Sequence, residues 1–329
     1  MGEGLKQERG KILKQGTGFR LDSRHPWRSP FGPASPFAPL QARAVAGMTS
    51  IKEFQMARIV LITHVYDNFR DRDFLLRNLA GHWLDAGHQI SLIEGLGNWP
   101  DGDVAIMHVD LSVVPAAYSE AAKRYPVVVN GAAVDMRKRR ISRNLVARGD
   151  GWTGPVIIKT DLNFSGIPEK QAAERSQREG KLSDLPPGPV VSTTRPYPIF
   201  GSSSEVPADV WDNPGFVVER FLPEQDERGY WLRAWVFFGD RERCTRYRGT
   251  HPIVKTATIV AREPAPVPNE LRAERKRLGF DYGKFDFVVR DGQAILLDAN
   301  RTPSAPPPSP EIEASNARLA GGLEALLRK

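Results

Sequence analysis

The sequence predicts an α/β protein that begins with a mostly parallel sheet and ends in an α+β half. Between residues 48 and 132, short apolar strands alternate with amphipathic helices, a pattern typical of parallel sheets covered by helices on both faces. Near the C-terminus, an Asp-Gly pair at 291–292 separates two apolar runs, which is a strong signal for an antiparallel hairpin. The 329 residues are enough for two or three packed subdomains.

The N-terminal unit, residues 48–132, is predicted element by element. An apolar run at 57–64 predicts a buried strand, and apolar residues at helical spacing predict a helix at 71–86 that ends at Gly87. Neither a G-x-G-x-x-G after the first strand nor a P-loop occurs, so these common nucleotide-binding fingerprints are excluded. The other predicted elements of this unit are a helix and three strands, at 115–124, 89–93, 103–109 and 127–130.

After residue 132 the pattern of the chain changes. A stretch rich in Pro, Ser and Gly occupies residues 168–215. A basic helix is predicted at 137–148, and an amphipathic helix is predicted at the C-terminus. The other predicted elements are strands at 155–159, 216–219, 231–238, 285–289 and 294–298 and a helix at 272–278.

Residues 1–47 form a predicted disordered tail that is basic and rich in proline. They carry eight Lys or Arg residues and three Asp or Glu residues, so most of the net charge of +7 lies in the tail. The body is nearly balanced in charge and gives no reason to expect a nucleic-acid partner. The alternative interpretations of the tail are a transit peptide and an over-extended reading frame that begins at Met48 or Met56.

The cysteine content and the hydropathy pattern predict the compartment. Cys244 is the only cysteine, so the chain cannot form an internal disulfide, which favours a reducing compartment. No apolar run approaches the roughly 18 residues that a membrane span needs. We therefore expect a cytoplasmic protein without a membrane partner.

Three oxygen-bearing side chains near the C-terminus predict a metal site. Asp298 and Asn300 are two residues apart at a strand end, so their side chains project to the same side. Asp286 lies on the partner strand of the same predicted hairpin. Two carboxylates and an amide oxygen suit Mg²⁺ and leave ligand positions for water and phosphate. The alternative is that the Asp residues only mark strand ends, which holds well for Asp291 but poorly for acids embedded among apolar neighbours.

The segment 285–303, Phe-Asp-Phe through Asp-Ala-Asn-Arg-Thr-Pro, resembles the end of the ATP-grasp ligases. The glutathione-synthetase-like, RimK-like and D-alanine–D-alanine ligases are the members it most resembles. The resemblance implies an ATP-grasp fold with a preceding parallel-sheet domain. It implies a small lobe at 133–222, with an insertion at 167–210, and a large lobe at 223–329. It also implies that Asp286, Asp298 and Asn300 hold Mg²⁺, or Mn²⁺, against ATP. The second acid of this motif is more often Glu, so Asp298 is a departure with a shorter arm.

Other segments occur in the order of the same family. The strand 155–159 with the following loop resembles the part that reaches and covers the phosphates, which implies roles for Lys159, Ser165 and Gly166. The segment 216–223 resembles the hinge that contacts adenine. The residues this implies are Glu219, Phe221 and Leu222, with Glu227 chosen for the ribose hydroxyls over the alternatives Glu224 and Asp226.

The remaining implied roles fall on cationic side chains. Arg233 matches the Arg that contacts the transferred phosphate, and with Lys159 it is the expected catalytic pair. His251, Lys255 and Arg301 are expected to contact substrate. An early basic residue of the nucleotide half is assigned to Arg139, with Lys138 and Arg140 as the alternatives in the same basic run.

The resemblance implies an ADP-forming ligase that joins a carboxylate to an amine, or to a thiol, through an acyl phosphate. The expected partners are small-molecule or peptide carboxylates and amines, and a homodimer is the oligomer that the family suggests. One alternative is a kinase that phosphorylates a small-molecule alcohol on the same scaffold. Another is a nucleotide-binding module without catalysis, which the short acid at Asp298 and the single glycine of the loop, Gly166, would favour.

Overall fold

The computed structural model describes residues 56–181, 185, 190–192 and 197–328, and the predicted tail at 1–47 lies outside them. The first part of the described chain forms a four-stranded parallel sheet in the order β2-β1-β3-β4. This arrangement agrees with the predicted alternation of strands and helices. The strands and helices of this part are β1 (Arg58–Thr63), α1 (Leu75–Asp85), β2 (Gln89–Glu94), β3 (Val104–Met107), α2 (Ala116–Ala122) and β4 (Val127–Val129).

Apolar residues cover both faces of the parallel sheet. Val60 and Met107 pack with Tyr118 of α2 in one core cluster. Helix α1 buries Leu75, Leu79 and Trp83, which stand at the i, i+4, i+8 spacing of a helix face. Because both faces are covered, we expect ligands to bind at the edge of the sheet that is formed by the carboxyl ends of the strands.

A three-stranded antiparallel sheet in the order β6-β5-β7 follows, and we call it the small sheet. One face is apolar, with Val156, Ile158 and Val218 packed against Val206. The other face carries Lys159 and Glu219, because side chains alternate between the two faces of a strand. Its elements and the helices around it are α3 (Lys138–Ile141), β5 (Val156–Thr160), α4 (Ile167–Arg178), β6 (Ile199–Phe200), α5 (Ala208–Asp212) and β7 (Phe216–Arg220).

The C-terminal part forms a six-stranded sheet, which we call the large sheet, in the order β11-β10-β9-β12-β13 with β8 paired to β9. The predicted hairpin joins β12 and β13, and Asp291 and Gly292 turn it with φ angles of 51° and 77°. Two positive φ angles are what a tight two-residue turn needs. The strands are β8 (Glu224–Asp226), β9 (Gly229–Phe238), β10 (Arg241–Gly249), β11 (Ile259–Pro264), β12 (Tyr282–Arg290) and β13 (Gln293–Asn300).

Helices α6 (Asn269–Leu278) and α7 (Pro310–Ala320) pack on the large sheet, and α8 (Leu323–Leu327) contacts β4 of the parallel sheet. The single C-terminal helix predicted from the sequence is therefore two helices, separated at Gly321 and Gly322. A Cβ at Gly322 would collide with the carbonyl oxygen of Phe238, so the close approach of this junction to β9 requires a glycine.

The predicted fold class, α/β with an α+β second half, is confirmed by these three sheets. The basic helix predicted at 137–148 is shorter than expected, since α3 has four residues and gives way to extended chain at Ser142. Strands β10 and β11 were not predicted. In the described residues, no helix is long and apolar enough to cross a membrane.

Candidate functional site

Two carboxylates lie opposite each other on the last two strands at one edge of the large sheet. Asp286 of β12 pairs in register with Asp298 of β13. The pairing then shifts, because Phe287 pairs with Leu296 and leaves Leu297 as the extra residue of a β-bulge. The hairpin prediction therefore holds for this pair, whose Cα atoms are expected to be roughly 5 Å apart as direct cross-strand neighbours.

Each of these carboxylates is paired with a lysine. Lys284 Nζ lies 2.8 Å from Asp286 Oδ2, and Lys138 Nζ lies 2.9 Å from Asp298 Oδ1. Burial raises the pKa of Asp286 above its usual value, against the opposing effect of Lys284. The charge of Asp286 in turn raises the pKa of Lys284. The cluster is thus a balanced set of two acids and two cations in a half-buried place.

Lys138 is the buried cation of this cluster. Its side chain is 3% exposed, and its Nζ also lies 3.5 Å from Asn163 Oδ1. Burial is the largest single effect and acts to lower the pKa of Lys138, but the charge and hydrogen bond of Asp298, together with Tyr197 and Glu219, outweigh it and the pKa is raised. Lys138 therefore stays charged beside Asp298.

Asn300 completes the predicted metal set. It pairs with Lys284 across the hairpin and so lies on the same face as Asp286 and Asp298. Its Oδ1 accepts a hydrogen bond from the backbone nitrogen of Thr302 at 2.8 Å, and the Thr302 hydroxyl lies 3.2 Å away. This contact fixes the amide with its oxygen in a defined direction.

Lys159 and Glu219 form a buried ion pair on the polar face of the small sheet. Lys159 Nζ lies 2.6 Å from Glu219 Oε2 and 3.5 Å from the carbonyl oxygen of Leu297, the bulge residue of β13. Glu219 is 1% exposed, and in the described part of the chain its Oε1 has no hydrogen-bond partner. The polar face of the small sheet thus meets β13, and Glu219 Oε1 is a buried hydrogen-bond acceptor without a partner among the described residues.

The loop after β5 has unusual backbone geometry. Phe164, Ser165 and Gly166 have φ angles of 44°, 57° and 68° in succession. Ser165 Oγ lies 3.0 Å from Tyr197 Oη, and Phe164 is 59% exposed. A Cβ at Gly166 would collide with the carbonyl oxygen of Val191. The glycine is therefore required both by its φ angle and by this close approach.

Arg233 does not face this site, which corrects its predicted role as a phosphate contact. Its neighbour Ala234 pairs with Asp286, so alternation along β9 turns Arg233 to the opposite face of the large sheet. There its guanidinium binds Glu224, with Nη2 2.9 Å from Oε1, and Arg246 binds the same carboxylate at 3.0 Å.

Arg301 is buried and does not offer a substrate contact, which is a second correction. Its side chain is 0% exposed, and its nitrogens donate hydrogen bonds to three backbone carbonyl oxygens, those of Val109, Leu111 and Ala133. Burial lowers the pKa of Arg301 to about 10, so the group remains a cation. It holds the end of β13 against the edge of the parallel sheet.

Arg139 also lies apart from the carboxylate pair. Its Nε lies 2.6 Å from Asp161 Oδ2, and it donates to the carbonyl oxygen of Pro214, so Lys138 rather than Arg139 reaches Asp298. A four-residue basic run gives no sign of which side chain points inward until α3 is placed.

The remaining predicted residues lie at the margins. The backbone of Phe221 donates to the carbonyl oxygen of Pro155, which places Phe221 and Leu222 at the end of β7, beside Glu219. Glu227 is exposed in the turn between β8 and β9, whereas Glu224 is buried under Arg233. His251 and Lys255 are exposed in the loop between β10 and β11, and each is bonded within that loop.

The donor set suits a divalent cation of the magnesium kind. Among the described residues, no group of three or more His, Cys, Asp or Glu could hold a metal ion. The predicted set has two carboxylates and an amide oxygen, with phosphate and water as the remaining ligands, so it does not depend on such a group. Asp286, Asp298 and Asn300 share one face, which fits the predicted set.

Two site residues, Lys138 and Lys284, were missed as contacts of the carboxylates. Lys138 was considered within the basic run but not chosen. Lys284 stands two residues before Asp286 on the same strand, so alternation alone places both on one face. That spacing was the signal in the sequence that could have identified Lys284.

No family model matches the chain, and no curated protein matches it. Among solved structures it is similar to a RimK domain ATP-grasp protein from Sphaerobacter thermophilus, with 15% identity, a TM-score of 0.49, and coverage of 82% of this chain and 100% of that chain. It is similar to a D-alanine–D-alanine ligase from Bacillus anthracis, with 12% identity, a TM-score of 0.43, and coverage of 83% and 97%.

A third similar structure is the ATP-grasp ligase PsnB complexed with a minimal precursor, with 12% identity, a TM-score of 0.45, and coverage of 82% and 98%. These proteins belong to the ATP-grasp superfamily, the class that segment 285–303 resembles. Likeness this distant assigns no residue and no reaction to the present chain.

Proposed function

We propose that the protein is an ATP-dependent ligase of the ATP-grasp class. The observation that carries this proposal is the meeting of two charged faces, with Lys159 and Glu219 of the small sheet beside the bulge of the strand that bears Asp298. A magnesium nucleotide needs two kinds of group. The free oxygen of Glu219 could accept a hydrogen bond from the base or the ribose, and the carboxylate pair could bind the metal ion.

The reaction that we propose is ADP-forming and passes through an acyl phosphate. Asp286, Asp298 and Asn300 would hold Mg²⁺, which, when bound, supplies charge neutralisation for the phosphates of ATP. Lys159, Lys138 and Lys284 add positive charge at the same place, where phosphoryl transfer depends on positioning and electrostatics. The loop at Ser165 and Gly166 would cover the site and exclude water.

In the second half of the proposed reaction, an amine attacks the acyl phosphate and displaces inorganic phosphate. No nucleophile of the protein takes part, which is consistent with the lack of a nucleophile-elbow motif in the sequence. We propose small-molecule or peptide carboxylates and amines as substrates, and a cytoplasmic location.

The test is a screen of the full-length protein with Mg-ATP against pairs of carboxylates and amines, with ADP and inorganic phosphate measured separately. A ligase releases both in equal amounts, and only when both substrates are present. ADP without phosphate would point to the kinase alternative. Nucleotide binding without turnover of any pair would contradict the ligase and leave the non-catalytic module.

A further inference from the structure

A chain of contacts joins the proposed metal ligand Asn300 to the edge of the parallel sheet. Thr302 donates its backbone N–H to Asn300 Oδ1 at 2.8 Å, and its hydroxyl donates to Asp110 Oδ1 at 2.5 Å. Asp110 follows the carboxyl end of β3 and also binds Arg72 through its other oxygen. Thr302 and Asp110 are 2% and 9% exposed, so these contacts are shielded from water.

The backbone around this chain of contacts is held from both sides. Arg301 donates to the carbonyl oxygens of Val109 and Leu111, the two neighbours of Asp110. Further along, Leu75 donates its backbone N–H to the carbonyl oxygen of Pro303 at 2.9 Å. The end of β13 is therefore laid along residues 109–111, and its direction is set by the N-terminal sheet.

We infer that Asp110 and Thr302 are positioning residues that orient Asn300 for the metal ion, so that the N-terminal sheet builds part of the nucleotide site. This inference rests on the proposed function. Neither residue touches the metal or the nucleotide in this account. Partners that orient a metal ligand typically change metal affinity by about tenfold or more when they are removed.

The test measures how tightly the full-length protein binds Mn²⁺ in the presence of ADP. The concentration of free Mn²⁺ is measured by electron paramagnetic resonance. Thr302→Val removes the hydroxyl at constant shape, and we expect it to weaken Mn²⁺ binding by about tenfold. Thr302→Ser keeps the hydroxyl and should bind within about twofold of the wild type. Asp110→Ala should weaken binding as much as Thr302→Val.

The double variant of Asp110 and Thr302 shows whether the two act together. Residues of one network are not additive, so the double variant should bind Mn²⁺ about as well as either single variant. Thr63→Val is the matched control. Thr63 is buried in β1, and its hydroxyl donates to the carbonyl oxygen of Ile93 at 3.0 Å, away from Asn300. It should lower thermal stability and leave Mn²⁺ affinity unchanged.

Two results would overturn the inference while the proposed function stands. The first is a Thr302→Val protein that binds Mn²⁺ like the wild type while Asp298→Asn abolishes binding. The second is a Thr63→Val protein that weakens Mn²⁺ binding as much as Thr302→Val, because the effect would then be general destabilisation. If the wild type and Asp298→Asn bind Mn²⁺ alike, the metal site itself is wrong and the inference fails with it.

Discussion

Asp286 and Asp298 are direct partners across the β12–β13 hairpin, and a bulge begins at the next position. Two acids in this relationship repel each other unless cations lie nearby. Lys284 and Lys138 supply that charge from two different elements, the strand β12 and the helix α3. The proposed metal site is therefore assembled from both lobes and is not a property of the hairpin alone.

Lys138 should matter for nucleotide turnover and Arg139 should not. Lys138→Met leaves Asp298 without its buried cation, and we expect the rate of ADP formation to fall on the order of a hundredfold. Arg139→Met removes a half-exposed pair with Asp161, and turnover should change little because the pair lies apart from the carboxylates. Steady-state ADP formation by the two variants decides between them, with thermal unfolding as the control for folding. Equal losses would contradict the placement of Lys138.

Arg233 should contribute to stability and not to catalysis. Arg233→Met removes one partner of a buried pair with Glu224, and we expect the free energy of unfolding to fall by about 3 kcal/mol. The folded fraction should retain its turnover, because the side chain faces away from Asp286. Denaturant unfolding and turnover per folded molecule are the measurements. A variant with normal stability but no turnover would contradict this placement and support the original prediction that Arg233 contacts the phosphate.

His108 should make the fold sensitive to acid. Burial lowers the pKa of His108 to about 3, whereas an unfolded histidine has a pKa near 6.5. As the pH falls below about 6.5, His108 binds a proton in the unfolded state but not in the folded state. This group therefore lowers the free energy of unfolding by about 1.4 kcal/mol per pH unit. Other acids add their own slopes, so the informative quantity is the difference between variants.

His108→Leu should remove that part of the slope between pH 6 and 4 (about one proton), as measured by urea unfolding at a series of pH values. Phe69→Leu is the matched control, because the Phe69 ring packs against the His108 ring with 5.1 Å between their centroids but has no ionisable group. It should lower stability equally at each pH. An unchanged slope in His108→Leu would show that His108 is protonated in the folded protein.

The placement of Asp286, Asp298 and Asn300 on one face could be predicted because each of its determinants is local. Alternation places Asp298 and Asn300 on one side, and the Asp291-Gly292 turn brings Asp286 opposite. The face of Arg233 could not be predicted, since it depends on the register between β9 and β12, which are separated by two strands and a helix in the chain.

Burial that depends on tertiary packing was likewise beyond the sequence. Arg301 lies in the segment that resembles the end of the ATP-grasp ligases and was expected to contact substrate. Only the placement of the backbone carbonyls of Val109 and Leu111 shows that its guanidinium is already bonded. Which of the basic side chains at 137–140 points toward Asp298 depends on how α3 packs against β13. Strand β10 was missed because its arginines interrupt the apolar alternation that marks a strand.

The most direct test of the central claim is the thermal stability of the full-length protein with ATP, ADP and GTP, each with and without Mg²⁺, for the wild type and Asp298→Asn. We predict stabilisation of the wild type by adenine nucleotides that increases with Mg²⁺, by about 2.7 kcal/mol at a hundredfold excess over the dissociation constant. Asp298→Asn leaves the buried Lys138 without its charged partner, so without ligand it should unfold at a lower temperature than the wild type. Relative to its own ligand-free unfolding temperature, it should lose the Mg²⁺-dependent part of the shift. No nucleotide shift in the wild type, or an equal shift in Asp298→Asn, would contradict a magnesium nucleotide site at the Asp286–Asp298 pair.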